Sequence, residues 1–195
     1  VETCPQYLFR TENAVRELGP YAKINPPLRS REEQDKLWHY VQIGVVDTIG
    51  TDHAAHLKEQ KEKGWEDIFK APSGTPGLDT MLPLLLNAVN EGRLDLPRLT
   101  RLVSENAAKI YGLYPRKGVI QVGADADLLI IDMDKERVIE TSQMYTKQRD
   151  VARLFDGWRT VGTIEMTLVR GEVVMEGGVV TGKPGFGQFV RPIEM

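Results

Sequence analysis

Cysteine occurs once in these 195 residues, at Cys4, and histidine three times, at His39, His53 and His56. A single thiol excludes an internal disulfide framework and fits a reducing compartment, so the cytoplasm is the expected location. So few imidazoles and thiols also fall short of a hydrolytic two-metal centre, which needs about three or more protein ligands per zinc. No apolar run approaches the roughly 20 residues of a membrane helix, and the amino terminus has no basic segment followed by an apolar one. Neither membrane insertion nor secretion is expected. Positive charge is not in surplus either: the net charge is -3, the isoelectric point is near 5.7, and the basic residues are scattered. That leaves no electrostatic footprint for nucleic acid and makes a small molecule or another protein the expected partner.

What is present is an ordinary globular balance, 41% hydrophobic and 27% charged, which argues against disorder. The first half alternates short apolar runs with helical patterns, the signature of an α/β fold with a parallel sheet. Val1 to Phe9 reads as a strand, and an opening on Val1 inside such a segment is expected of a start within a domain or of a processed or incomplete product. Glu12 to Leu18 reads as a short helix ended by Gly19 and Pro20. After the turn Asn25-Pro26-Pro27, Ser30 to Ile43 places Leu37, Trp38 and Val41 at helical spacing, with Ser30 and Glu33 in a capping-box pattern and Gly44 as the stop. Val45 to Gly50 is the next expected strand.

From His53 to Gly77 the chain is charged and then rich in Gly and Pro, with a run at Lys58-Glu59-Gln60-Lys61-Glu62-Lys63. A long loop after a barrel strand serves as a lid or substrate loop, or else is a solvated excursion. Gly77 to Gly92 carries an apolar helical face, and Leu94 to Leu113 reads as another helix in which Ser104 caps Glu105 to Tyr111. Beyond Gly118 the runs Val119 to Val122, Leu128 to Ile131, Gly162 to Val169 and Glu172 to Val180 are mostly β-branched, as in a separate β module. The boundary is expected near Lys117, giving an α/β part over 1–117 and a β part over 118–195.

Asp52 is the leading candidate for chemistry. A carboxylate at the carboxyl end of a buried parallel strand points into the mouth of an α/β barrel, where it can bind a metal and accept a proton from water; a loop-capping role is the structural alternative. His56 could donate to a substrate carbonyl, or could be a backbone-bonded side chain. His53 is expected to support Asp52, and His39, within a helix, to be structural. Asn25 and Arg29 flank a rigid proline turn and could meet an amide and an anion. Pro76 and Gly77 close a Ser-Gly-Thr-Pro-Gly turn whose backbone could hold an oxygen atom, though a tight turn needs the same residues. Cys4, followed by Pro5 and far from any histidine in sequence, is expected to pack in the core.

Taken in order, Glu2-Thr3-Cys4-Pro5-Gln6-Tyr7-Leu8, Asn25-Pro26-Pro27-Leu28-Arg29, Thr51-Asp52-His53-Ala54-Ala55-His56 and Gly74-Thr75-Pro76-Gly77-Leu78 resemble the cyclic amidohydrolases: dihydroorotases, hydantoinases (dihydropyrimidinases) and allantoinases. Gly118-Val119-Ile120 and Gly123-Ala124-Asp125-Ala126-Asp127-Leu128 look like that family's return into its small β-sandwich. The resemblance implies that this chain is the carboxyl-terminal part of a TIM barrel with its last two strands, plus a β-sandwich segment. It implies zinc, in a binuclear centre, for hydrolysis of a cyclic amide or ureide. Asp52 would be both metal ligand and proton carrier, and Asn25, His56, Pro76 and Gly77 would hold the substrate. The remaining ligands of the family, a His-x-His pair, a carboxylated lysine and two further histidines, are absent here and would come from an N-terminal barrel half or a partner chain. His56 and Asn25 lean towards dihydroorotase, whereas Glu2 to Leu8 is more hydantoinase-like and Ala55 departs from the dihydroorotase pattern. The intact enzyme is expected to be a homo-oligomer, and a non-catalytic oligomeric homologue is the alternative of another class. Intact mass checks the premise: about 45 to 50 kDa is expected for a full barrel of about 250 residues with its β domain, whereas 22.0 kDa would mean a half-enzyme dependent on a partner.

Overall fold

Proline decides where the first strand stops. Val1 to Phe9 has a strand pattern, yet in the computed structural model, which describes residues 1–193, only Glu2–Thr3 (β1) of that span forms a strand. Pro5 then opens the helix Pro5–Phe9 (α1), in the first turn, where its missing N–H forfeits no bond. Thr48–Ile49 (β2) is likewise shorter than its apolar run and pairs in parallel with β1, Glu2 opposite Thr48 and Thr3 opposite Ile49. Asn13–Leu18 (α2), a 3-10 turn at Gly19–Ala22 and Arg31–Ile43 (α3) connect the two strands. α3 begins and ends where its sequence predicts, although of the expected capping box only the Ser30 half is formed among the described residues. The Ser30 hydroxyl accepts the Glu33 N–H at 3.4 Å, and Gly44 closes the helix in the left-handed region at φ 91°.

The buried face of α3 sends Trp38 and Val41 into a core with Leu8, Val46 and Ile49. There the Trp38 indole donates to the Leu8 carbonyl at 2.6 Å, satisfying its one polar atom. Residues 53–77 are ordered around Lys58–Glu62 (α4) and 3-10 turns at Lys63–Trp65 and Ile68–Lys70. The apolar run that follows forms Met81–Asn90 (α5). Leu96–Thr100 (α6), a π-helical turn at Arg101–Glu105 and Asn106–Ile110 (α7) then run on without a break. Ser104 therefore lies inside helical backbone and caps nothing, because the turn before it has already supplied the missing partners.

The β part is a four-stranded antiparallel sheet of Leu128–Val138 (β3), Arg159–Val169 (β4), Glu172–Glu176 (β5) and Val179–Val180 (β6), in that spatial order. Val119 to Val122 forms no strand, and Ile120 and Val122 are exposed there. β4 sits directly on α5. A Cβ on Gly162, whose φ is +107°, would lie 2.8 Å from the Leu86 Cβ. The Asn87 side-chain oxygen accepts the Val161 N–H at 3.0 Å, and the Asn90 amide donates to the Met133 and Val161 carbonyls at 2.9 Å each. Among the described residues no helix is long and apolar enough to cross a membrane. Gly162→Ala forces both a left-handed φ and a collision with Leu86, so it should lower unfolding free energy by about 2–3 kcal/mol, read as an earlier urea midpoint.

Candidate active site

Past Ile49 the strand gives way to a loop in which Asp52 takes φ 46°, a left-handed conformation that aspartate tolerates better than most residues. Its carboxylate is exposed and makes no hydrogen bond among the described residues. It opens on a groove of about 670 Å³ along β1, shared with Thr3, Cys4, Tyr7, Pro26, Pro27 and Arg29. The fold thus brings Asp52 to the same groove as the proline turn after Asn25. The Asn25 side chain itself is exposed and unpaired among the described residues.

Cys4 and Tyr7 form the floor. Burial first, then the carboxylates of Asp52 and Glu2, push the Cys4 thiol up to about 12, so it stays protonated and inert. The Tyr7 phenol is likewise pushed up to about 12 by burial, Cys4 and Asp52. Its oxygen is buried with no partner, which leaves it a hydrogen-bond donor facing an anionic neighbourhood. The sequence places Tyr7 in the Glu2–Leu8 motif without giving its side chain a role. The signal available was its position three residues after Cys4 on a turn opened by Pro5, which brings the two side chains to one face.

The histidines are held by backbone. The unprotonated Nδ1 of His53 accepts the Gly77 and Leu78 N–H groups at 3.2 and 3.3 Å, which puts the ring proton on Nε2. His53 lines a different cavity from Asp52, with Leu78 and Tyr145. His56 donates its Nε2–H to the Ser73 carbonyl at 2.8 Å, leaving Nδ1 as its only free ring atom. His39 is exposed on α3. Gly77 has both backbone groups engaged, since its carbonyl accepts the Thr80 and Met81 N–H groups at 3.3 and 3.1 Å. The Thr51 carbonyl would lie 3.0 Å from a Cβ at Gly77, so glycine lets this turn pack against the Asp52 loop. Among the described residues the Pro76 carbonyl makes no hydrogen bond in this turn, nor does the buried Thr75 hydroxyl.

A metal centre is not assembled here from this chain alone. Among the described residues no three His, Cys, Asp or Glu side chains converge. Asp52 has the chemistry of one oxygen ligand and stands without the others.

The model of the amidohydrolase family matches residues 11–174. The chain belongs to the amidohydrolase family. This amidohydrolase chain is 46% identical to the L-hydantoinase of Paenarthrobacter aurescens over 190 residues, 97% of its own length and 41% of that enzyme's. It is 35% identical to the D-hydantoinase of Rhizobium radiobacter, over 96% of the chain and 42% of that protein. Its α/β structure superposes on the L-hydantoinase (dihydropyrimidinase) from Arthrobacter aurescens with a TM-score of 0.91 at 46% identity, over 97% of this chain and 42% of that one. For the dihydropyrimidinase from Brevibacillus agri the TM-score is 0.90 at 31% identity, over 98% and 42% of the two chains. The chain therefore spans about two-fifths of the length of these relatives. They are hydantoinases, so the lean towards dihydroorotase has no specific support and the hydantoinase alternative fits better. His56 carried much of that lean, and its Nε2 is engaged with Ser73.

The buried, protonated Cys4 predicts that iodoacetamide at pH 8 alkylates it about 10²-fold more slowly in the folded protein than in urea; equal rates would place the thiol at the surface.

Proposed function

We propose that the protein carrying this chain hydrolyses a cyclic ureide of the hydantoin or dihydropyrimidine class. The observation that carries this reading is Asp52, an unpaired carboxylate in a left-handed conformation at the end of β2, in a chain 46% identical to an L-hydantoinase. In this reading residues 1–117 form the last two strands and helices of a (β/α)8 barrel, and the sheet beyond them is part of a β-sandwich. Zinc, bound through Asp52 and ligands outside this chain, would supply Lewis acidity when present.

Asp52 takes the proton of the water that attacks the ring carbonyl. A C–O bond forms, the ring C–N bond breaks, and Asp52 returns the proton to the leaving nitrogen. A hydantoin thereby gives an N-carbamoyl amino acid. Asn25, the Pro76 carbonyl and the free Nδ1 of His56 are the polar groups left to hold the ureide. Gly77 acts by keeping the turn close to Asp52 and His53. Tyr7 lends its phenol O–H to the Asp52 side of the groove.

In the intact protein, Asp52→Asn keeps the shape of the side chain and removes its basicity. Hydrolysis of hydantoin should fall by about 10³-fold in kcat with KM changed less than about threefold. Turnover close to wild type in that variant would eliminate Asp52 as the proton carrier, whereas absence of hydrolysis in the wild-type protein would favour a non-catalytic homologue.

A further inference from the structure

The charged run at residues 58–63 contains one lysine that water does not reach. Lys61 has no exposed surface, whereas Lys58 and Lys63 beside it are exposed. Its ammonium donates to three main-chain carbonyls, those of Pro20 and Lys23 at 3.2 Å each and of Pro72 at 2.9 Å. No carboxylate pairs with it among the described residues. Burial, and then the Lys23 ammonium, bring its pKa down to about 8. A buried cation without a counter-ion is costly, and an apolar side chain of similar volume would avoid that cost. What an apolar side chain would not provide is three donors at one point, and the three acceptors belong to two separate loops.

Those loops are the ones that carry the free polar groups of the candidate site. Lys23 stands two residues before Asn25, and Pro72 stands one before Ser73 and four before Pro76. Several further contacts converge on the same junction. The Gly74 N–H donates to the Lys23 carbonyl at 2.9 Å, and the Lys23 ammonium donates to the Ala71 carbonyl at 2.6 Å. His56 fixes Ser73 from the other side. Gly64, on the turn after α4, approaches so closely that a Cβ would meet the Pro20 and Ala71 Cβ atoms at 2.5 and 2.7 Å. α4 is thus pressed onto the junction, and Lys61 is its reach into it.

We propose that Lys61 is a positioning residue for substrate binding: it ties the loop leading to Asn25 to the loop carrying Ser73–Gly77 and so sets the width of the ureide site. This rests on the hydantoinase-type reading above. Lys61 touches no reacting atom, and its loss widens the site without removing Asp52.

The test uses the intact protein with Lys61→Met, Lys61→Gln and Asp52→Asn, assayed on hydantoin, together with amide hydrogen exchange at Gly74. Lys61→Met should raise KM by about tenfold or more with kcat within about threefold of wild type, because a misplaced binding wall costs binding before chemistry. Lys61→Gln keeps amide donors without the charge and should recover part of that loss. Exchange at Gly74 should accelerate in the order wild type, Gln, Met. A KM within about twofold of wild type in the folded variants overturns the proposal. Failure of both variants to fold does the same, by making Lys61 part of the scaffold. Absence of hydantoin hydrolysis in the wild type would sink the functional reading instead, and the Gly74 exchange would then decide whether the clamp exists; undiminished hydrolysis by Asp52→Asn would remove only the role of Asp52.

Discussion

Two parallel strands of two residues each carry too few ladder bonds to hold a register by themselves, and the placement of Asp52 depends on that register. Side chains that reach main-chain carbonyls provide the rest. Trp38 donates to Leu8, Gln34 to Arg10 at 2.9 Å, and Asn106 to Asp47 at 2.8 Å. Arg98 binds the Val41 and Val46 carbonyls at 3.2 and 2.8 Å, so the end of α3 and the entry to β2 share one guanidinium. These bonds satisfy carbonyls at the ends of α1 and α3 and just before β2. The strand ends stay fixed because the surrounding helices hold them there.

The same economy of backbone groups governs the loops around Asp52. The turn at Gly77 gives its N–H to His53 and its carbonyl to the start of α5, and Ser73 gives its carbonyl to His56. A turn with its groups so engaged has a fixed shape and offers few atoms to a ligand. Among the described residues the carboxylate of Asp52, the phenol of Tyr7, the amide of Asn25, the carbonyl of Pro76 and the Nδ1 of His56 remain unpaired, and they define the candidate site.

Much of this was legible in the sequence where local chemistry decides the outcome. Ser30, Glu33 and Gly44 mark both ends of α3, the leucines of α5 announce its buried face, and Asp52 stands in the loop just past the apolar run of β2. Strand lengths were overestimated because a run of apolar residues does not report the helix that Pro5 starts. Lys61 was hidden for a different reason: a lysine among charged neighbours has the pattern of a solvated face, and only partners 11, 38 and 41 residues away in sequence make it interior. The engagement of Gly77 with His53, 24 residues away, is equally invisible to any local pattern.

α5 faces two ways. Leu85, Leu86 and Ala88 pack with Trp38 and Val46, while Leu84 packs with Ile24, Leu28 and Phe155. β4 is seated on the same helix through Gly162, Asn87 and Asn90. A helix shared in this way leaves no seam along which the sheet could melt while the strand-and-helix part stays intact. Opening either cluster strips one side of α5, so each part loses some of its hold on the helix when the other comes away.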